Sequence, residues 1–143
     1  MIRFSQMFIG RLVTLLMFGS GLTYACECNS PSFQDAQRHA NLIFRGKITS
    51  FRVTGTGPQA VFAVERVWKG DVPRTFEMPA HEETIGCIGF WPDWLKVGND
   101  LIVYAFRVVQ TGYYVTNICS RTDFAATSKD LADLGRGRPP KSK

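Results

Sequence analysis

The chain has 143 residues, of which 45% are hydrophobic and 20% charged, and its formal net charge is +5. This composition is typical of a single globular domain and excludes wholesale disorder. The two histidines and four cysteines are too few for a multi-metal enzyme or a disulfide-dense knot.

Residues 1–25 have the pattern of a secretory signal peptide. Two arginines and no acid accompany the short apolar run 12–18, and small residues lead to Ala25. The run is shorter than the roughly 20 residues that span a bilayer. We therefore expect cleavage after Ala25, no membrane anchor, and a secreted or periplasmic product. Its 118 residues would include 15 basic and 12 acidic side chains, a formal charge of +3. Acylation of Cys26 is the alternative.

Four cysteines in an exported chain indicate two disulfides. Cys26 and Cys28 are too close in sequence to bond comfortably with each other. Each should then pair with Cys87 or Cys119, and the spacing leaves both arrangements open. Either arrangement would fasten the mature N-terminus to two distant points of the chain. A zinc site is the alternative, but single distant thiols lack the paired spacing of zinc fingers.

The predicted elements form a small β-structure between two short helices. A helix or turn is expected over 30–40, an irregular segment over 78–98, and a final helix capped by Thr127 or Ser128 and ended by Gly135. The strands are expected at 42–53, 60–68, 74–78, 101–109 and 113–119. Their one-sided apolar patterns indicate a barrel, and a β-sandwich is the alternative. The basic segment 136–143 is expected to be a disordered tail, with polyanion binding as a second interpretation.

Several spaced blocks of the sequence resemble the netrin-like module, and among its members the N-terminal domain of the tissue inhibitors of metalloproteinases. The blocks lie at residues 26–28, 34–36, 40–47, 67–70, 87–89 and 98–104, and at Cys119 with the helix that follows it. The resemblance spans about 26–134, which makes 26–135 one domain. It implies a mainly β fold, a five-stranded OB-type barrel with short flanking helices. It also implies the disulfides Cys26–Cys87 and Cys28–Cys119.

The resemblance also implies a function for the mature N-terminus. In such inhibitors the amine and carbonyl of the first cysteine, here Cys26, chelate the catalytic zinc of a metalloendopeptidase. Glu27 would then enter the protease's specificity pocket, where a carboxylate pays a desolvation cost. The implied protein is a monomeric inhibitor that needs no cofactor or metal of its own. Because no phosphate-binding loop or nucleophile elbow is present, an enzyme is not expected.

Trp91 and Trp94 are candidate contacts for a protein partner, although packing beneath Cys87 is the other interpretation. A non-inhibitory netrin-like module would use this loop to hold another extracytoplasmic protein. OB-type barrels also bind nucleic acids or glycans. The modest mature charge and the lack of an evident basic and aromatic face argue against a nucleic-acid partner.

Overall fold

A computed structural model describes Cys26, residues 28–81 and residues 87–142. A 3-10 turn at Pro92–Trp94 interrupts the long connection between the third and fourth strands. The other elements, in chain order, are α1 (Phe33–His39), β1 (Leu42–Thr54), β2 (Gly57–Lys69), β3 (Thr75–Pro79), β4 (Asp100–Arg107), β5 (Tyr114–Val115), β6 (Asp123–Phe124) and α2 (Asp130–Leu134).

The strands form a curled antiparallel half-barrel. Its order is β3-β2-β1-β4-β5, and the short β6 pairs with β4 beside this path. After the long connection, β4 returns to lie next to β1, which gives the 4-1-2-3 order of a Greek key. The rings of Phe76 on β3 and Tyr114 on β5 lie 6.0 Å apart, so the two ends of the sheet approach each other. The OB-type prediction is confirmed, and the sandwich alternative is wrong because one sheet curls upon itself.

The main core fills the inside of the curl with aromatic rings. Phe44 meets Phe62 edge to face at 5.6 Å, and Phe62 stacks on Phe90 at 6.2 Å. A second, smaller core lies between the outer face of the sheet and the helices, and it includes Ile102 and Tyr104 of β4. β4 is therefore buried on both faces, which explains why its sequence is almost continuously apolar.

The structure confirms the predicted positions of the first four strands and of both helices, and it shortens the fifth strand. β5 has two residues because the chain leaves the β4 ladder after Val115. The carbonyl of Thr116 instead accepts a hydrogen bond from the Gly89 amide at 2.9 Å. The strand β6, which the sequence did not predict, is short and pairs with β4 through only two residues.

The prediction of a disordered tail is corrected for residues 136–142. β3 pairs only with residues 59–63 of β2, so the end of β2 offers further backbone donors and acceptors. Arg138 exchanges two backbone hydrogen bonds with Val67 at 2.8 and 2.9 Å, and the Lys141 amide donates to the Val72 carbonyl. Satisfying these groups orders a segment whose composition alone is typical of disorder.

Candidate functional site

Two disulfides join the N-terminal segment to distant parts of the chain. Cys26 bonds to Cys87 with their Cα atoms 5.9 Å apart. Cys28 bonds to Cys119 with their Cα atoms 4.9 Å apart. These are the pairings that the resemblance implied. The other arrangement that the spacing allowed, Cys26 with Cys119 and Cys28 with Cys87, is not formed.

The partner cysteines lie on two segments that pair with each other. The carbonyl of Cys87 accepts a hydrogen bond from the Ile118 amide at 3.0 Å, and the Thr116 carbonyl accepts one from the Gly89 amide at 2.9 Å. Ile88 and Asn117 form an isolated antiparallel bridge between them. Since Cys26 and Cys28 are two residues apart, each faces one of two adjacent segments. The site therefore consists of three backbone segments held side by side, which we call the N-terminal platform (Cys26, 28–31, 87–90 and 116–121).

Cys87 adopts a left-handed backbone conformation, with φ of 61°. This region costs an L-amino acid roughly 1–2 kcal/mol and is seldom used outside glycine. The hydrogen bond from Ile118 and the covalent link to Cys26 hold the residue in place.

An ion pair fastens the platform to the second helix. The guanidinium of Arg121 donates to both carboxylate oxygens of Asp130, including one short contact, and also to the Pro31 carbonyl at 3.2 Å. Asp130 is only 2% exposed. Burial raises the pKa of its carboxyl, but hydrogen bonds from Arg121 and Tyr104 outweigh burial and leave the pKa below its usual value. Through its bond to the Pro31 carbonyl, Arg121 links the segment just after the Cys28 disulfide to the start of α2.

Hydroxyl groups complete the support beneath the platform. The Thr116 hydroxyl donates to the Tyr104 carbonyl at 2.9 Å and lies 2.8 Å from the Thr122 hydroxyl oxygen. The Tyr104 amide donates to the Thr122 hydroxyl at 2.9 Å. These contacts satisfy the backbone of β4 where β5 has ended, and they connect the Cys119 loop directly to β4.

Residues 29–31 separate two grooves. Asn29 and Pro31 line a groove of about 320 Å³ that also borders α1 and Phe106. Ser30 lines the other groove, of about 300 Å³, together with Trp91. The alternation is that of an extended backbone, whose successive side chains point to opposite sides.

The structure separates the two candidate tryptophans. Trp91 is 40% exposed, whereas Trp94 is only 7% exposed. The Trp94 ring packs edge to face against Phe90, with 6.4 Å between their centroids. Trp94 therefore packs mainly in the core, and only its small exposed part lines the groove beside Trp91. Trp91 remains available at the wall of a groove.

Glu27, the expected pocket residue, and the expected signal peptide 1–25 lie outside the described residues. Sequence reasoning missed Arg121 and Asp130. An arginine near a half-cystine and an aspartate at the start of a helix are both common in sequences. Only the contact between Arg121 and Asp130 in the tertiary structure shows that these two residues support the site. Within Cys26, 28–81 and 87–142, no group of three or more His, Cys, Asp or Glu side chains could hold a metal ion. None of the helices in the same residues is long and apolar enough to cross a bilayer.

The fold and the site together define a small OB-type half-barrel whose N-terminal segment is fastened by two disulfides. No protein-family model matches the sequence, and a search of curated proteins gives no match.

Proposed function

We propose that the protein is a secreted inhibitor of zinc metalloendopeptidases, and that the N-terminal residue Cys26 of its mature form chelates the protease's catalytic zinc. The observation that carries the proposal is the pair of disulfides at Cys26 and Cys28, in the arrangement that the resemblance to the tissue inhibitors implied. Catalytic zinc sites keep one coordination position open for water or substrate. The amine of Cys26 would take that position and displace the water, and the carbonyl oxygen of the same residue would be a fifth ligand.

Rigid support of the chelating residue is what such a mechanism requires. Cys26 is bonded to Cys87, whose carbonyl is hydrogen bonded to Ile118. Two residues further on, Cys28 is held by its own bridge, and Pro31 by Arg121. A group that is ordered before binding pays less conformational entropy on association. The N-terminal platform is therefore suited to present backbone atoms to a metal in another protein.

The chemistry of the amine suits neutral pH. An unperturbed α-amino group has a pKa of about 7.7–8.0, so a substantial fraction is neutral and carries a free lone pair. A peptide bond at that nitrogen removes both the lone pair and the basicity. Inhibition by this mechanism hence requires cleavage directly before Cys26, with no lipid or additional residue.

The test compares two proteins that differ by one residue. One begins at Cys26, and the other retains Ala25, so that the nitrogen of Cys26 is in an amide. Inhibition constants are measured with fluorogenic peptides against a panel of zinc endopeptidases. We expect the first protein to inhibit at or below micromolar concentration and the second to be weaker by at least about 100-fold, since loss of a metal ligand removes several kcal/mol.

A folding control and one further variant accompany this comparison. Equal melting temperatures and intact disulfides in both proteins exclude a folding defect. A Glu27→Ser variant of the first protein should bind about tenfold more tightly, because its hydroxyl is cheaper to desolvate than a carboxylate. Equal protease activity with and without the mature protein at micromolar concentration would contradict the proposal.

A non-inhibitory protein-binding module is the second candidate, and the exposure of Trp91 favours it. An exposed tryptophan beside a groove is a frequent anchor of protein interfaces. Trp91 and Ser30 line the same groove, so a partner held there would contact the platform without any metal. Binding that survives retention of Ala25 but is lost in Trp91→Ala would favour this function over chelation.

A further inference from the structure

The ordered tail assembles a basic edge that the sequence does not reveal. Val67 of β2 exchanges two backbone hydrogen bonds with Arg138. Pro73 bridges to Lys141 in parallel orientation, and the Arg74 carbonyl accepts from the Val64 amide at 2.8 Å. Adjacent strands are about 4.8 Å apart, so these pairings gather basic residues from β2, from the start of β3 and from the tail. We call this set the basic edge: Arg66, Arg74, Arg136, Arg138 and Lys141, all of them exposed.

Acidic residues do not balance this edge. Among the residues that the structure describes, Asp71 is the one carboxylate that pairs with the basic edge, at 2.7 Å from the Lys141 ammonium and 3.5 Å from the Arg138 guanidinium. Within the described part of the chain, Arg66, Arg74 and Arg136 have no ion pair. Elsewhere in the described chain Arg38, Arg45, Arg52 and Arg121 each lie against a carboxylate, whereas Arg107 donates to the Gly112 carbonyl. A concentration of unpaired positive charge on one edge creates a local field that attracts polyanions.

The surroundings of the edge favour one class of polyanion. Proteins that bind single-stranded nucleic acids stack bases on exposed aromatic rings, but Trp68 is only partly exposed because the tail packs against it. Its indole nitrogen donates to the Gly135 carbonyl at 3.0 Å. A Cβ at Gly137 would lie only 2.8 Å from the same nitrogen. Association with a lipid surface requires exposed apolar side chains. The exposed large apolar residues of the described chain lie on other segments: Phe51, Val53, Ile88, Trp91, Val97, Val109 and Tyr113.

We propose that the basic edge binds a sulfated polysaccharide. The planar guanidinium groups of Arg66, Arg74 and Arg136 can each donate two parallel hydrogen bonds to the oxygens of a tetrahedral anion. Sulfate groups repeated along a chain match charges that are repeated along a β-edge. This binding is separate from the proposed inhibition, because it uses β2 and the tail rather than the N-terminal platform.

Heparin is the probe for the test, and desulfated heparin, which keeps its carboxylates but lacks sulfate groups, is the comparison. Binding constants are measured over a series of NaCl concentrations for the wild-type protein and two triple variants. The first variant is Arg66→Ser, Arg74→Ser and Arg136→Ser. The matched control is Arg52→Ser, Lys96→Ser and Lys129→Ser, which changes the net charge equally at exposed sites off the basic edge. Melting temperatures establish that both variants are folded.

The wild-type protein should bind heparin and not desulfated heparin. The basic-edge variant should lose at least about tenfold in affinity at 0.15 M NaCl, with a slope of log K against log [salt] reduced by about 2–3. The control should lose less than about threefold, because its charges lie outside the contact. Equal losses in both variants, or absence of wild-type retention, would overturn the proposal. Tighter binding of single-stranded DNA or of anionic vesicles than of heparin would overturn the choice of ligand.

Discussion

The phenol hydroxyl of Tyr104 donates a hydrogen bond of 2.6 Å to the carboxylate of Asp130. Tyr104 lies on β4, and Asp130 begins the last helix, α2. The same carboxylate accepts from Arg121, which in turn donates to the Pro31 carbonyl. One buried carboxylate thus couples the middle, the C-terminal helix and the N-terminal segment of the domain. Such shared networks contribute more than their separate pairs suggest.

Replacement of this carboxylate should change the dependence of stability on pH. Because the pKa of Asp130 is depressed in the folded protein, its stabilisation is complete above the unfolded pKa of about 3.9 and is lost as the pH falls toward the folded value. Thermal melting between pH 7 and pH 3 measures this loss. We expect Asp130→Asn to be less stable by about 2–3 kcal/mol at pH 7 and to lose less of its stability on acidification.

The matched control is Asp133→Asn, which alters an exposed carboxylate of the same helix. It should change stability at pH 7 by less than about 0.5 kcal/mol. If wild type and Asp130→Asn lose stability in parallel between pH 5 and pH 3, the coupling through Asp130 is wrong.

The two tryptophans of the loop should respond differently to truncation. Trp94→Ala removes a ring that packs on Phe90 within the core, and we expect a loss of about 3–5 kcal/mol. Trp91→Ala removes an exposed ring and should cost less than about 1 kcal/mol. Urea unfolding of both variants gives the two values under one set of conditions. Similar losses would contradict the different burial of the two rings.

Gly70 should tolerate no side chain. Its φ is +74°, and a Cβ there would lie 2.3 Å from Leu42 Cδ2 and 2.6 Å from the Asn41 carbonyl oxygen. Since one contact is to backbone, a small rotamer change cannot relieve it, and Gly70→Ala should destabilise the protein by about 3 kcal/mol or more. Gly55→Ala is the control, because nothing lies within 4 Å of its Cβ position. Denaturant midpoints should separate the variants, and a neutral Gly70→Ala would refute the packing of this turn.

Each disulfide should contribute strongly to stability. The bridges join residues 61 and 91 positions apart, and the chain-entropy model assigns each about 4–5 kcal/mol. We expect similar losses in urea unfolding for Cys26→Ser with Cys87→Ser and for Cys28→Ser with Cys119→Ser. Paired substitution avoids leaving a free thiol. A loss below about 1 kcal/mol in either variant would show that the other contacts of the platform hold the N-terminal segment without that bridge.

Local patterns were sufficient for most elements of the fold. The alternation around Phe44 and Phe62 predicts strands whose apolar faces turn inward, and both rings lie in the core. The predicted cap at Thr127 or Ser128 is wrong, because the helix is preceded by Lys129 and has no side-chain capping hydrogen bond; the Ser128 hydroxyl accepts from the Asp130 amide at 3.3 Å, one residue before that position. Gly135 ends the helix with φ of 68°. The strands and the end of the helix depend on residues that are close in sequence. The type of side chain and its spacing along the chain are therefore enough to predict them.

The candidate site was predicted in part. The resemblance supplied the pairing of the cysteines, but no pattern indicated that Arg121 would reach Pro31, 90 positions earlier in the chain. Trp91 and Trp94 are the same residue type in one short segment, yet one is exposed and the other is buried. Their difference depends on which way the 3-10 turn faces the core.

The amino-acid sequence by itself determined the mainly β character, the positions of the first four strands, the terminal helix and the four cysteines available for cross-linking. The tertiary structure decided which carboxylate Arg121 meets, which tryptophan is accessible, and that a tail of disordered composition lies along β2. The physical reason is that strand periodicity and capping are local properties of the chain. Burial, ion pairing and the filling of open backbone positions depend on groups that only the folded sheet brings together.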